Sequence, residues 1–337
     1  MYELELKQVI SRLLPGKLYH AISIHPIAGG KNNRAFHIQL DDEEFFLKQY
    51  SPAGDRNRLL SEYQFLLYAN RIGSDYITRP IACNTDMMFG LYQYQSGERY
   101  MERSISDNDI NHAIQFLYQI NSDRHYEKSH IAQEACFSIS EHIDCIQKRI
   151  NKLNHMVISD DLDEQVNIFI YKQLNPAWNS VKKNVFEYCR KHNLLMNELI
   201  EEDDRIISPS DFGFHNAIKL KNNKLIFVDF EYAGWDDPSK LIGDFFHQIE
   251  VPVSLRYFEK FSKSISSLCK NQEKILGRVH ILFPVYCIKW CCIILNYFLP
   301  GGKIWKNFTE VVTRSVREVQ FQKAQKRLQT LRMEING

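Results

Sequence analysis

Hydrophobic and polar positions set the first hundred residues apart from the rest of the chain. AISIHPI, RAFHIQL and EEFFLKQY are short, alternating or β-rich runs, split by Gly29-Gly30 and by the acidic turn Asp41-Asp42, and they predict three strands. RLLSEYQFLLYANRIG predicts a helix with Leu60, Tyr63, Leu66 and Leu67 on one face. ITRPIACN and MFGLYQYQ return to strand character. The expectation is a small antiparallel sheet with one helix laid against it.

From Ser106 onward the pattern turns helical. SDNDINHAIQFLYQI starts on Ser and Asp and carries an apolar stripe at Ile110, Ala113, Ile114 and Leu117. ISEHIDCIQKRINKL, NPAWNSVKKNVFEYCRKHN and VVTRSVREVQFQKAQKRLQTLRM are further helices, and only the segment from Ser208 to Val228 interrupts them with a strand-like hairpin. The basic tail, Arg314 to Arg332, alternates with Val316, Val319, Leu328 and Leu331 and predicts a solvated helix docked on its lobe. The pattern predicts an α+β chain of two lobes: residues 1–96 as a β-rich lobe and 97–337 as a large, mainly helical one.

HILFPVYCIKWCCIILNYFLP, His280 to Pro300, has the length of a membrane span, but Lys289 falls near its middle. It predicts a buried core helix, with no membrane partner. The N-terminus lacks the basic start and apolar run of a signal peptide. Lys and Arg number 42 against 41 for Asp and Glu, without the basic excess of a nucleic-acid binder. The eight cysteines form no C-x-x-C pair and include several in apolar stretches, Cys291-Cys292 among them, which predicts reduced core thiols and a cytoplasmic setting.

Candidate chemistry gathers in SPSDFGFHN, Ser208 to Asn216, where Asp211 and Asn216 stand five positions apart in loop-forming sequence. Thirteen residues after Asn216, a buried strand (Leu225 to Val228) runs into Asp229. The two clusters read either as turns or as two halves of one metal-phosphate site. Upstream, Gly29 and Gly30 precede a strand, where backbone amides can approach phosphate oxygens. Lys48 sits in the apolar FFLKQY and needs a partner or an anionic ligand. Fourteen residues later Glu62 falls on the predicted helix, on a turn that can face the sheet.

A Gly-rich turn, strand lysine, helix glutamate, loop D-x-x-x-x-N and strand-end D-F-E, in this order, resemble the aminoglycoside phosphotransferase and choline kinase family. The resemblance runs from about Ile24 to Phe246 and is most specific in DFGFHN and FVDFEYAGWDDP. It implies a two-lobed protein-kinase-like fold and a small-molecule kinase using ATP, with GTP left open, and Mg2+. Asp211 is then the base that orients the acceptor hydroxyl, and Asn216 and Asp229 hold the metal. Lys48, held by Glu62, contacts the α and β phosphates. The amides around Gly29, Gly30, Asn32 and Asn33 cover the phosphates, and backbone groups of Gln93, Tyr94 and Gln95 meet the adenine.

Pro209-Ser210 replaces the His-Gly that usually precedes the catalytic Asp in the family. The triplet is DFE and no A-P-E element follows, which ranks a protein kinase below a small-molecule kinase. His215 reads as a loop residue, Asp237 as a helix cap and Asp244 as support for the catalytic loop. Residues 123–204, expected to form much of the acceptor pocket, mix acids and bases, so a sugar or other neutral hydroxyl compound is favoured over a cationic aminoglycoside or amino alcohol. The alternative is a nucleotide-binding pseudokinase.

Overall fold

A computed structural model describes residues 2–28, 33–51, 57–100, 105–300 and 312–336. Gly29, Gly30 and Asn32 lie outside these residues. Packing divides the chain into two compact units, residues 1–133 with 207–234 and residues 134–206 with 235–337.

The first unit is built on a five-stranded antiparallel sheet in the order β1-β2-β3-β5-β4. Its strands are β1 (Ile22–Ile27), β2 (Arg34–Leu40), β3 (Glu43–Gln49), β4 (Pro80–Asn84) and β5 (Phe89–Gln93). Side chains alternate across a strand, so Phe45 and Leu47 enter one face while Phe46 and Lys48 point to the other. The first face is covered by α1 (Tyr2–Leu13), whose Leu6, Val9, Ile10 and Leu13 pack on Phe36, Ile38, Leu40, Phe45, Leu47, Phe89 and Leu91. Each of these α1 side chains contributes roughly 1.5–3 kcal/mol by leaving water.

The sequence expectation of one helix on this sheet is therefore short by one. The spacing of Leu6, Val9, Ile10 and Leu13 is helical, and the charged positions between them lie on the outer face.

The other face takes α2 (Arg58–Arg71), capped by the Asn57 side chain on the amide of Leu60. Its buried positions include Leu59, Glu62, Phe65, Leu66 and Ala69. This corrects the predicted stripe. Leu67 is 47% exposed, because the helix is rotated to bring the polar Glu62 inward. Also in this unit are β6 (Glu98–Arg99), α3 (Asp107–Ile120), β8 (Ala217–Lys219) and β9 (Leu225–Phe227); β6, β8 and β9 pair in the order β6-β8-β9. β7 (Ile206–Ser208) leads into this hairpin.

The second unit is helical: α4 (Ile139–Asn154), α5 (Asp161–Phe169), α6 (Asn175–Lys191), α7 (Pro238–His247, after the short β10, Gly234–Asp236), α8 (Phe258–Ser266), α9 (Gln272–Leu295) and α10 (Arg314–Asn336). α9 is long and apolar enough to cross a membrane, and most of its apolar stretch is buried among its neighbours. Lys289, the charge near its middle, donates to Asp244 of α7 at 2.8 and 3.0 Å, and Trp290 Nε1 donates to the same carboxylate at 2.8 Å. Asp237 caps α7 through the amide of Ser239 at 2.7 Å. α10 buries Phe321, Ala324, Leu328 and Leu331, whereas Val319 is 48% exposed, so the docked face is rotated from the predicted one. Arg317 of α10 is bonded to Asp160 and Asp163. All eight cysteines are free thiols.

Candidate active site

Two Asp-Phe pairs shape the site, which lies wholly in the first unit. Phe212 follows Asp211, and Phe230 follows Asp229; both rings are buried. They join one aromatic cluster: Phe212 to Phe227 at 5.0 Å between centroids, Phe116 to Phe227 at 4.8 Å, and Phe65 to Phe230 at 4.6 Å. Anchoring each ring in the core turns the preceding carboxylate outward. Asp211 and Asp229 both keep 41% side-chain exposure.

The loop before Asp211 is held by short-range polar contacts. Asn121, at the end of α3, grips Ile207 by both backbone groups, accepting its N–H at 2.7 Å and donating to its carbonyl at 2.9 Å. Ser210 has a left-handed backbone with φ of 68°, uncommon for a non-glycine residue. Its N–H donates to Ser208 Oγ at 2.9 Å, and the Asp211 amide donates to the Pro209 carbonyl at 3.0 Å. These bonds hold the turn built by Pro209-Ser210.

Asn216 Nδ2 donates to the Asp211 carbonyl at 2.9 Å, which leaves its amide oxygen as the acceptor atom. The Asn216 carbonyl accepts from Val228 N–H at 2.9 Å, so the Asp211 loop and Asp229 are neighbours across the β8–β9 hairpin. His215 Nε2 lies 3.2 Å from Asp211 Oδ1. The sequence offered His215 as a loop residue able to reach phosphate; its place four positions after Asp211 was the signal for this contact.

Lys48 is the hub. Its ammonium donates to Glu62 Oε2 at 2.6 Å and to Asp229 Oδ1 at 2.7 Å, and lies 3.8 Å from Glu231 Oε2. Burial opposes the charge, but Asp229, Glu62 and Glu231 together hold the Lys48 pKa well above its ordinary value. Glu62 also accepts from Tyr50 OH at 2.5 Å and from the Phe230 amide at 3.2 Å. Tyr50 OH meets Tyr92 OH at 2.7 Å. Burial, reinforced by the Glu62 charge, pushes both phenols well above their ordinary pKa, so both stay neutral donors. The Tyr92 ring lies where a side chain at Gly90 would stand, which requires glycine there. Tyr50, Tyr92, Glu231 and His215 were missed by sequence reasoning; Glu231 was visible as the last letter of D-F-E.

The structure thus joins Lys48, Glu62 and Asp229 in one network and Asp211 with Asn216 in another, linked by the hairpin. Asn33 is buried and donates to Glu231 at 2.6 Å. Gln93, Tyr94 and Gln95 lie beyond Lys48's level of the sheet, since Gln93 pairs with Phe45. The Gln93 amide donates to the Arg79 carbonyl at 2.9 Å and its carbonyl accepts from Thr78 Oγ1 at 2.5 Å. Tyr94 stacks on His37 at 4.0 Å. Glu62, Asp229 and Glu231 place carboxylate oxygens within 4.8 Å of one another. The Lys48 ammonium lies among them, so the half-exposed Asp229 carboxylate and the Asn216 amide oxygen are the hard oxygen donors that suit a divalent cation such as Mg2+.

No protein-family model matches the chain, and no curated protein matches it in sequence. Solved structures do. Spectinomycin phosphotransferase APH(9)-Ia, in complex with ADP and spectinomycin, superposes with a TM-score of 0.60 at 10% identity, covering 97% of both chains. Choline kinase from Cryptosporidium parvum gives 0.59 at 13% identity, covering 98% of this chain and 97% of the other. The chain has the protein-kinase-like fold of aminoglycoside phosphotransferases and choline kinases. Amicoumacin kinase hAmiN, in complex with AMP-PNP, Ca2+ and Ami, gives 0.55 at 11% identity, covering 97% of this chain and 93% of that one.

Proposed function

We propose that this chain is a small-molecule kinase that moves the γ-phosphate of ATP to a hydroxyl of a small polar metabolite. The observation that carries this reading is the Lys48 hub: one buried ammonium bonded to a helix glutamate and to a strand-end aspartate, beside a loop that presents Asp211 and Asn216. Fold alone does not imply function; these groups carry the chemistry.

Lys48 meets the α and β phosphates, and Asn33 lies at the end of the segment proposed to cover them. Asn216 and Asp229 hold Mg2+, which when bound offsets phosphate charge. Asp211 accepts the proton of the acceptor hydroxyl as its oxygen bonds to the γ phosphorus and the bond to the β-phosphate oxygen breaks. Backbone groups of Gln93 to Gln95 contact the base; since the Gln93 amide and carbonyl and the Tyr94 amide are already engaged, the Tyr94 carbonyl and the Gln95 backbone carry most of this contact. Phe46, two positions before Lys48 on the same face and half-buried, offers a ring for the purine to stack on. Alignment and charge placement supply most of the rate.

The acceptor is a sugar or another neutral hydroxyl compound. Residues 123–204 mix acids and bases, without the concentration of carboxylates that a cationic acceptor calls for. Free thiols suit a reducing compartment such as the cytoplasm.

The test is incubation with MgATP and pooled cell metabolites, read by mass spectrometry beside a Lys48→Met control. A metabolite that gains one phosphate only with the wild type supports the reading. Tight MgATP binding with no phosphorylated product and no slow hydrolysis contradicts it and favours a nucleotide-binding scaffold.

A further inference from the structure

Residues 130–133 are held between the loop that carries Asp211 and the chain that follows Asp229, all within the first unit. On one side the Gln133 carbonyl accepts from Ser210 Oγ at 3.3 Å. On the other side the Gln133 N–H donates to the Tyr232 carbonyl at 3.0 Å. Two residues past Tyr232, Gly234 lies so close to the same segment that a Cβ there would collide with the backbone of His130, Ile131 and Ala132. Only glycine lets the two stretches of backbone approach this closely.

Ser210 is the unusual partner. It is 7% exposed, and its φ of 68° is a left-handed conformation that glycine adopts freely and other residues rarely do. A serine in such a place brings one group that glycine lacks, a hydroxyl, and that hydroxyl reaches the Gln133 carbonyl. We propose that Ser210 is a positioning residue: its hydroxyl keys the peptide before Asp211 to residues 130–133, and through Gln133 to the chain beyond Asp229. This rests on the function proposed for the site. Losing the bond frees the Ser210–Asp211 peptide to turn, and the half-exposed Asp211 carboxylate swings with it. Asn216 has backbone bonds of its own, from its N–H to the Gly213 carbonyl at 3.1 Å and from Val228 N–H to its carbonyl at 2.9 Å. The proposed metal ligand therefore keeps its place, and the loss falls on the proton acceptor.

Ser210→Ala removes the hydroxyl and keeps a side chain on the left-handed backbone; Ser210→Gly removes the hydroxyl and relieves that backbone. Gly234→Ala drives a methyl group into residues 130–132. Each variant is compared with the wild type for Mg2+-dependent binding of a fluorescent ATP analogue, for phosphate transfer to pooled metabolites and to water at saturating MgATP, and for melting temperature. Both Ser210 variants are expected to lower the transfer rate about tenfold with nucleotide affinity within about twofold of the wild type, since a displaced base acts on transfer and not on binding. Ser210→Gly is expected to melt no lower than Ser210→Ala. Gly234→Ala is expected to slow transfer in the same way, and its combination with Ser210→Gly to be about as slow as the slower single variant, because both changes undo one join. Where Gly234→Ala does not fold, the two Ser210 variants decide. An unchanged rate in both Ser210 variants, a loss in only one of them, or a fall in nucleotide affinity at unchanged rate overturns the proposal. A wild type that binds MgATP and transfers phosphate neither to a metabolite nor to water instead overturns the proposed function itself.

Discussion

Lys48 Nζ lies 2.7 Å from Asp229 Oδ1, a contact between residues 181 positions apart. It closes one network of strand lysine, helix glutamate and strand-end aspartate. Removing the lysine strands Glu62 and Glu231 as buried charges. Lys48→Met is therefore expected to lower stability by about 3–5 kcal/mol and to abolish nucleotide affinity. Adding Glu62→Gln is expected to restore part of the stability and none of the affinity. Chemical denaturation and nucleotide titration of the three proteins check this; equal stability of Lys48→Met and wild type contradicts it.

His215 is expected to act on Asp211 rather than on nucleotide, given the 3.2 Å contact between them. His215→Ala lowers kcat by about three- to tenfold with KM for ATP unchanged, the pattern of a lost interaction at the reacting end. His215→Gln, which keeps a hydrogen-bond donor, recovers most of the rate. A rise in KM for ATP with kcat intact rules this role out.

Much of the sheet was legible because its strands alternate and are separated by turn residues. The edges β1 to β5 fall where the pattern placed them. Asp211, Asn216 and Asp229 were legible as polar residues at fixed spacing around a buried strand. The full inward face of α2 was not, because apolar count favoured Leu60 and Leu67; Glu62 was placed on a turn that can face the sheet, but the contacts with Lys48, Tyr50 and the Phe230 amide that make its burial tolerable come only with folding. α1 was overlooked although Leu6, Val9, Ile10 and Leu13 repeat at helical spacing. Tyr50, Tyr92 and Glu231 act through partners brought close by folding; Asn33 and Glu231 are 198 positions apart. Periodicity carries no record of such pairs.

Tyr50 and Tyr92 are expected to support Glu62 and not the chemistry. Tyr92→Phe removes one buried hydroxyl contact and costs about 1 kcal/mol, whereas Tyr50→Phe also takes a donor from the Glu62 carboxylate and costs about 2–3 kcal/mol. Thermal melts rank the two. A larger loss from Tyr92→Phe than from Tyr50→Phe refutes the order of the relay.

His142 and His247 make the second unit sensitive to mild acid. Burial lowers both below the ordinary imidazole value of 6.5, His247 well below it with Arg327 adding to the shift. His247 is held neutral between the Phe283 carbonyl at 3.1 Å and the Arg327 guanidinium at 3.3 Å. Between the folded and unfolded values the unfolded chain binds more protons, so stability is full above 6.5 and is lost as pH falls below it. The slope is about 1.4 kcal/mol per histidine per pH unit. Melting temperature is expected to fall between pH 7 and pH 5.5, less steeply in His247→Gln; a flat profile contradicts the assignment.

The most direct measurement compares wild type with Asp211→Asn in one MgATP reaction containing pooled hydroxyl metabolites, read for transferred phosphate and for bound nucleotide. Positioning by Asp211 predicts that the variant binds MgATP as tightly as the wild type and transfers phosphate at least about a hundredfold more slowly. Transfer by Asp211→Asn at the wild-type rate contradicts the account, because the proton of the acceptor would then be leaving by another route.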